Sequence, residues 1–525
     1  MEQLPEVSKV NKSRWFSKEC QNYSMYTTGS NIEHLEDKNI QSSTTSQILE
    51  DSNTSKHEET KETVISRTEE IKPQSICPPR GTLNRSITVG VLLFMIWCVI
   101  WSVSGHENQP DGNLVGLFIV FYSALIGGKL LEIIRIPSVP QLPPLLGMLL
   151  AGFTIRNVPF FSTHVHINST WSSTLRNIAL TLILIKAGLG LDPQALKNLK
   201  RVCFRLSVGP CLMEACSAAV VSHYLMHFPW EWGFLLGFVV GAVSPAIVVP
   251  SMLLLQKHGY GTEKGIPTLL IAASSLDDII AITGFSTCMG IAFSTGNVFS
   301  NLLHSFRNIV SGILLGVVLG IFVRYFPSED QTNLALKRAF LVLSMCVTTV
   351  LVSNHFGIHG AGGLCTLMLT FIGGLSWSKD KIGVQNVISI AWNIFQPLLF
   401  GLVGLEVSVA SLKSNAIGVS VATMSSALLM RICFTFILMS CAGFNLKEKI
   451  FIALSWIPKA TVQAVLGPLA LETARTSAPN LEPYSKDVMT VAFLAILITA
   501  PNGALIINLL GPKLLAQQDP NKIVV

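Results

Sequence analysis

From Arg85 almost to its end, the chain alternates long apolar runs with short polar loops. A helix needs about 20 apolar residues to cross the hydrocarbon of a bilayer. On that rule the runs predict roughly fourteen spanning helices. They lie near 86–104, 112–135, 143–156, 173–191, 203–226, 230–255, 265–295, 302–326, 335–355, 361–376, 386–409, 416–441, 448–472 and 485–511, the third and tenth being short. The expected fold class is therefore an all-α polytopic membrane protein. Its transmembrane domain covers 86–511, followed by a short cytoplasmic C-terminal tail, 512–525. Residues 1–79 follow the opposite pattern, rich in Ser, Thr, Glu and Lys. They hold too little apolar surface to offset ordering entropy and read as a disordered cytoplasmic tail. The polar start, MEQLPEVSKV, shows no cleavable signal peptide, so the first run is expected to act as an uncleaved anchor.

Composition agrees: 50% of the 525 residues are hydrophobic and 13% charged, against about 25% charged in soluble domains. The formal charge of +6 does not form a nucleic-acid surface, because Lys and Arg sit in short loops. Loops after segments two, four, six, eight, ten and twelve carry most of them, such as Lys200, Arg201, Lys257, Lys264, Lys337 and Arg338. Most intervening loops, such as GHENQPDG and FSTGNVFSN, carry none; Arg156, Lys413, Arg475 and Lys486 are exceptions. This alternation predicts cytoplasmic basic loops and cytoplasmic termini. The sequon at Asn168 then falls on the outer side, as do His223 and His227, which serve either as pH sensors or as plain interfacial residues. The 11 cysteines show no metal-ligand spacing and read as buried, inert thiols.

The chain also repeats itself. LILIKAGLGLDPQALK (182–197) matches LLFGLVGLEVSVASLK (398–413), aligning Gly190-Leu191-Asp192 with Gly404-Leu405-Glu406. At nearly the same separation, Ser244-Pro245-Ala246 aligns with Ile457-Pro458-Lys459. Equivalent segments are an odd number apart, so they cross the membrane in opposite senses, as in inverted-repeat transporters. Pro245 and Pro458 lie inside apolar runs, where proline removes a backbone hydrogen bond. Either is a simple kink; as a pair they point to two interrupted helices around a midplane ion site.

Charges inside apolar runs are costly and usually functional. The seventh segment holds Asp277 and Asp278, the fifth Glu214, the twelfth Arg431 and the thirteenth Lys459. Adjacent aspartates point about 100° apart on a helix, so one can pair while the other faces a cavity. Burial and nearby cations pull carboxylate ionisation in opposite directions. A carboxylate balanced between them holds either a proton or a small hard cation, which suffices for exchange. Ser244, Ser274, Ser275 and freed carbonyls are candidate further oxygens for Na⁺ or Li⁺. Two other readings remain: Asp277 and Asp278 form a structural network with Arg431 and Lys459, and Glu214 with Arg431 forms a salt bridge that sets helix register. An intramembrane aspartyl protease fits poorly, since that chemistry needs carboxylates facing each other from separate helices. A plain channel needs no titratable pair.

SSLDDIIAITGFST, GAVSPAIVVPSMLLLQ, FQPLLFGLVGLEVSVASL and WIPKATVQAVLGPLALETAR resemble the animal subfamily B sodium/hydrogen exchangers. These belong to the second branch of the monovalent cation:proton antiporters, and the resemblance, running from about Cys77 onward, is strongest to the sperm-associated kind. It implies a secondary antiporter, not an enzyme, that exchanges Na⁺ or Li⁺ for H⁺ and needs no cofactor. It further implies the sodium/proton antiporter fold with crossed broken helices, a homodimer with an elevator-like core, and a plasma-membrane location in the sperm flagellum. Asp278 is the implied cation ligand, with Asp277 paired to Arg431. Where some electrogenic bacterial relatives carry Lys, Arg431 keeps its proton, and Ser244-Pro245 stands where other branches often carry Thr-Asp. Asn393 replaces an Asp of close relatives, which removes a local charge pair or alters ion handling. The alternative is an antiporter-fold scaffold or regulator that no longer transports.

Overall fold

The computed structural model describes residues 112–134, 142–191, 200–293, 298–328, 330–358, 360–377, 380–409, 414–440 and 442–517, with isolated helical positions between Ile87 and Cys98. Those positions belong to a separate unit, Met1–Cys98; everything below concerns Val99–Val525. Most of the first expected segment, the N-terminal tail and Asp192 lie outside the described residues.

The described chain is helical, without a β-strand. Its helices of more than one turn are α1 (Asn113–Ile133), α2 (Pro144–Asn157), α3 (Ser169–Gly190), α4 (Lys200–Leu225), α5 (Trp230–Gly241), α6 (Pro245–Lys257), α7 (Ile266–Ala292) and α8 (Val298–Tyr325). There follow α9 (Leu334–His355), α10 (Ala361–Gly374), α11 (Lys381–Glu406), α12 (Ser414–Ser440), α13 (Leu446–Leu454), α14 (Thr461–Ser477) and α15 (Glu482–Leu514). Expected segments two to fourteen thus all appear, with the sixth and thirteenth each divided in two. Nine paths among the described residues are long and apolar enough to cross a membrane, α5 and α6 counting as one. The others are short, as in α2 and α10, interrupted, as in α13 and α14, or open on a polar turn, as α3 does with STWSST.

Packing sorts the helices into two bundles: α1–α3 with α9–α11, and α4–α7 with α12–α15, α8 joining the halves and lying on α10. Contacts recur in inverted pairs. The α2–α11 packing has its counterpart in α10–α3, and α6–α15 in α14–α7. Both close approaches use glycine. A Cβ on Gly404 would meet the Phe153 backbone nitrogen at 2.6 Å, and one on Gly188 the Leu367 carbonyl oxygen at 2.9 Å. Small residues let membrane helices approach closely where no hydrophobic drive separates helix from lipid.

The apolar stretches of α7 and α15, equivalent in the repeat, are 67% buried, against 22–28% for α1, α8, α9 and α12. The first two form the centre. The others turn large apolar side chains outward, such as Ile126, Leu314 and Leu429, as a lipid-facing surface requires.

Candidate functional site

The two interruptions cross. α5 stops at Gly241, Ala242 to Ser244 run extended, and Pro245 is the first residue of α6. Proline suits that position, because a first-turn N–H has no intrahelical partner anyway. α13 stops at Leu454 and α14 starts at Thr461, with Pro458 in the unwound stretch between them. The Ser244 N–H donates to the Pro458 carbonyl at 2.8 Å, joining the stretches. Gln463 Nε2 donates to the Val239 and Ala242 carbonyls, both at 2.9 Å, and the Lys459 N–H donates to Thr499 Oγ1 at 3.0 Å. Backbone groups freed by the breaks are thus satisfied across the crossing, as burial demands. The hydroxyls of Ser244 and Thr461, both buried, face each other at 3.4 Å.

The membrane charges gather beside this crossing. Arg431 Nη2, from α12, donates to both oxygens of Asp277 at 2.9 Å. Val243 N–H donates to Asp277 Oδ2 at 2.8 Å, tying the aspartate to the break between α5 and α6. Arg431 Nη1 donates to Glu214 Oε2 on α4 at 2.6 Å and to the Gly241 carbonyl. Lys459 Nζ donates to the same Glu214 oxygen at 2.8 Å. The Arg431 guanidinium also lies 5.5 Å from the Trp456 ring centroid. All four charged residues are fully buried.

Asp278 differs. It is 1% exposed, yet neither of its oxygens has a hydrogen-bond partner among the described residues. Neighbours on one helix, the two aspartates diverge: Asp277 bonds Arg431 and the Val243 N–H, and Asp278 bonds neither. Lys459, expected beside the aspartates, bonds Glu214 and not Asp277. Ser274 and Ser275, one turn earlier, donate to the Ile271 carbonyl. Asn393 is exposed on α11, in the other bundle. His223 stacks on Trp230 at 4.2 Å, with Nδ1 2.7 Å from the Phe228 carbonyl oxygen.

Sequence reasoning missed two features. Gln463 is one polar residue in TVQAVLG, and nothing local marks it as the clamp on both freed carbonyls. A second charged cluster lies at the α3 N-terminal turns: buried Arg176 reaches Glu406 on α11 at 3.4 Å and Glu472 on α14 at 3.2 Å. Arg475 on α14 reaches back to Glu406 at 3.2 Å. Among the described residues, the ion pairs that join the two bundles are Arg176 with Glu472 and Arg475 with Glu406, while that of Arg176 with Glu406 lies within the first. The cluster's one sequence signal is Glu406, the acidic residue of the repeat signature.

An inverted helical repeat whose two interrupted helices cross beside a buried carboxylate defines a secondary transporter of the antiporter kind. A family model described as "Sodium/hydrogen exchanger, transmembrane" matches residues 117–510, and the chain belongs to the sodium/hydrogen exchanger family. It is 67% identical over 506 residues to sodium/hydrogen exchanger 9B1 of Homo sapiens, covering 95% of this chain and 98% of that one. Sodium/hydrogen exchanger 9B2 of Homo sapiens is 57% identical over 454 residues, 86% of this chain and 84% of its own. The fold matches the sodium proton antiporter MjNhaP1 from Methanocaldococcus jannaschii, with a TM-score of 0.62 at 18% identity over 77% of this chain and 98% of that one.

Proposed function

We propose that the protein exchanges Na⁺ or Li⁺ for H⁺ by letting cation and proton compete for Asp278. Family and fold support sodium/proton exchange in general; the observation that carries the site is the contrast between the two aspartates. Glu214 and Asp277 carry two negative charges, Arg431 and Lys459 two positive ones, and three ion pairs link the four in a chain from Asp277 through Arg431 and Glu214 to Lys459. That set balances itself. Asp278 is the charge left over, and a buried carboxylate without a partner is costly. A proton or a small cation neutralises it, and either loaded form is fit to move through an apolar surround. Ser244 and Thr461 sit at the crossing as hard oxygen ligands suited to Na⁺ or Li⁺.

The two-bundle division supports an elevator movement of α4–α7 with α12–α15 against the rest. The resemblance to subfamily B exchangers supports a homodimer in the plasma membrane, in the sperm flagellum, and the alternation of basic loops supports cytoplasmic termini. The cations are cargo, lipid is the surround, and no cofactor is invoked.

The test is uptake of ²²Na⁺ or Li⁺ into proteoliposomes driven by a pH gradient. Wild-type activity should be high and Asp278→Asn inactive. In the acid range, apparent Li⁺ affinity of purified wild type should weaken about tenfold per pH unit, as competition for one site requires. Wild-type uptake no greater than that of Asp278→Asn would leave the antiporter-fold scaffold as the better reading.

A further inference from the structure

Beyond Asp278, α7 borders two neighbouring cavities. One, of about 50 Å³, is lined by Thr283, Ser286, Thr287, Asn308 and the Gly357 and Gly360 turn. The other, of about 30 Å³, shares Ser286 and Gly360 and adds Asn177 and Asn354. Neither has a charged side chain in its lining. A cavity holds a water once it offers about 10–15 Å³ to the probe, so the larger has room for a small cation with a water or two.

The hydroxyl geometry decides what fits. Ser286 Oγ donates to the Ile282 carbonyl at 2.8 Å, and Thr287 Oγ1 to the Thr283 carbonyl at 2.9 Å. A hydroxyl has one proton and two lone pairs. With the proton committed to backbone, each oxygen offers only lone pairs to the cavity. These lone pairs, with the side-chain oxygen of Asn308, suit a cation, the Asn308 amide nitrogen being the donor among them. Gly360 is required there: its φ of +85° suits glycine, and a Cβ would meet Ser286 Oγ at 2.5 Å. Ser286, which lines both cavities, lies eight residues beyond Asp278, about 12 Å along the helix, while Thr283 and Thr287 turn about 140° and 180° from Asp278 round it. Ile282, Phe285 and Met289 of the smaller cavity share the Asp278 face of α7.

We propose that the cavity at Thr283, Ser286, Thr287 and Asn308 is a second, charge-neutral cation site, taking partly hydrated Na⁺ or Li⁺ on its way to or from Asp278. The inference rests on the exchange reading above. Its oxygens replace part of the hydration shell before the ion reaches the carboxylate, so this site sets apparent cation affinity while Asp278 sets the competition with protons.

The experiment measures Li⁺ dependence of exchange in proteoliposomes and Li⁺-induced thermal stabilisation of the purified protein. Ser286→Ala combined with Thr287→Val should raise the half-saturating Li⁺ concentration about tenfold, on the scale of two lost polar contacts. The pH of half-maximal activity should not move, and Ser286→Thr should behave as wild type. Asn308→Leu, on α8, is a second variant should the first fold poorly, with the same shift expected. Unchanged half-saturation in a folded variant overturns this site while leaving the exchange reading intact. Absent wild-type exchange, with Li⁺ stabilisation still weakened by the variants, sinks the exchange reading and keeps the site.

Discussion

Glu214 holds Lys459 at 2.8 Å through the same carboxylate oxygen that accepts Arg431 at 2.6 Å. One carboxylate oxygen from α4 therefore serves two cations, one from α12 and one from the unwound stretch before α14. Losing the shared acceptor and losing one of its donors should have unequal consequences.

We predict that Glu214→Gln destabilises the protein far more than Lys459→Met. The first leaves Arg431 and Lys459 buried with Asp277 as their single counter-charge, and uncompensated buried charge costs about 3–5 kcal/mol. The second leaves an imbalance of the opposite sign, yet Glu214 and Asp277 both keep Arg431 as partner, so no buried charge is stripped of its ion pair as Lys459 is in the first. Thermal melting of the purified variants measures the difference; equal shifts would refute the shared-acceptor account.

Most of this architecture is legible in the residues, for identifiable reasons. Apolar runs report spanning helices because the bilayer removes every backbone partner but the helix's own. Pro245 and Pro458 report the interruptions as a pair matched across the repeat, since Pro210, Pro250, Pro397, Pro468 and Pro501 lie within continuous helices. Asp277, Asp278, Glu214, Arg431 and Lys459 report themselves because charge is rare at that depth. Who pairs with whom is another matter. Lys459 meets Glu214 across 245 residues, a contact that exists because two broken helices cross, and no local spacing encodes it. Arg176 escaped notice because its polar turn, STWSSTLRN, reads as an interface, whereas the fold buries it against Glu406 and Glu472.

A second prediction concerns the α2–α11 contact. Gly404→Ala places a methyl against the Leu149 carbonyl and the Phe153 nitrogen. Both are backbone atoms of α2 and cannot swing aside, so the helices must part. Overpacking of this kind costs about 1–3 kcal/mol. Gly418→Ala is the control, since a Cβ there meets nothing within 4 Å, and alanine is the better helix former. Melting should fall for Gly404→Ala and hold or rise slightly for Gly418→Ala. Indistinguishable behaviour would mean that these helices are not in such close contact.

The last prediction is a pH dependence built on Gln463. Its amide nitrogen donates to both carbonyls left by the break after α5, Val239 and Ala242. Gln463→Leu orphans both, at about 1–3 kcal/mol for each buried acceptor left unsatisfied. Gln463→Glu keeps the shape and changes the donor count. The protonated acid retains one donor; the carboxylate has none and sets negative charge against two carbonyl oxygens. The variant therefore loses stability as pH rises and its carboxyl deprotonates, and recovers it as pH falls. Its melting temperature should approach that of wild type in acid and separate steadily toward alkaline pH, while the Gln463→Leu deficit stays constant relative to wild type. A pH-independent gap for Gln463→Glu would show that the amide donates to neither carbonyl, and that the crossing is held by the Ser244 to Pro458 bond instead.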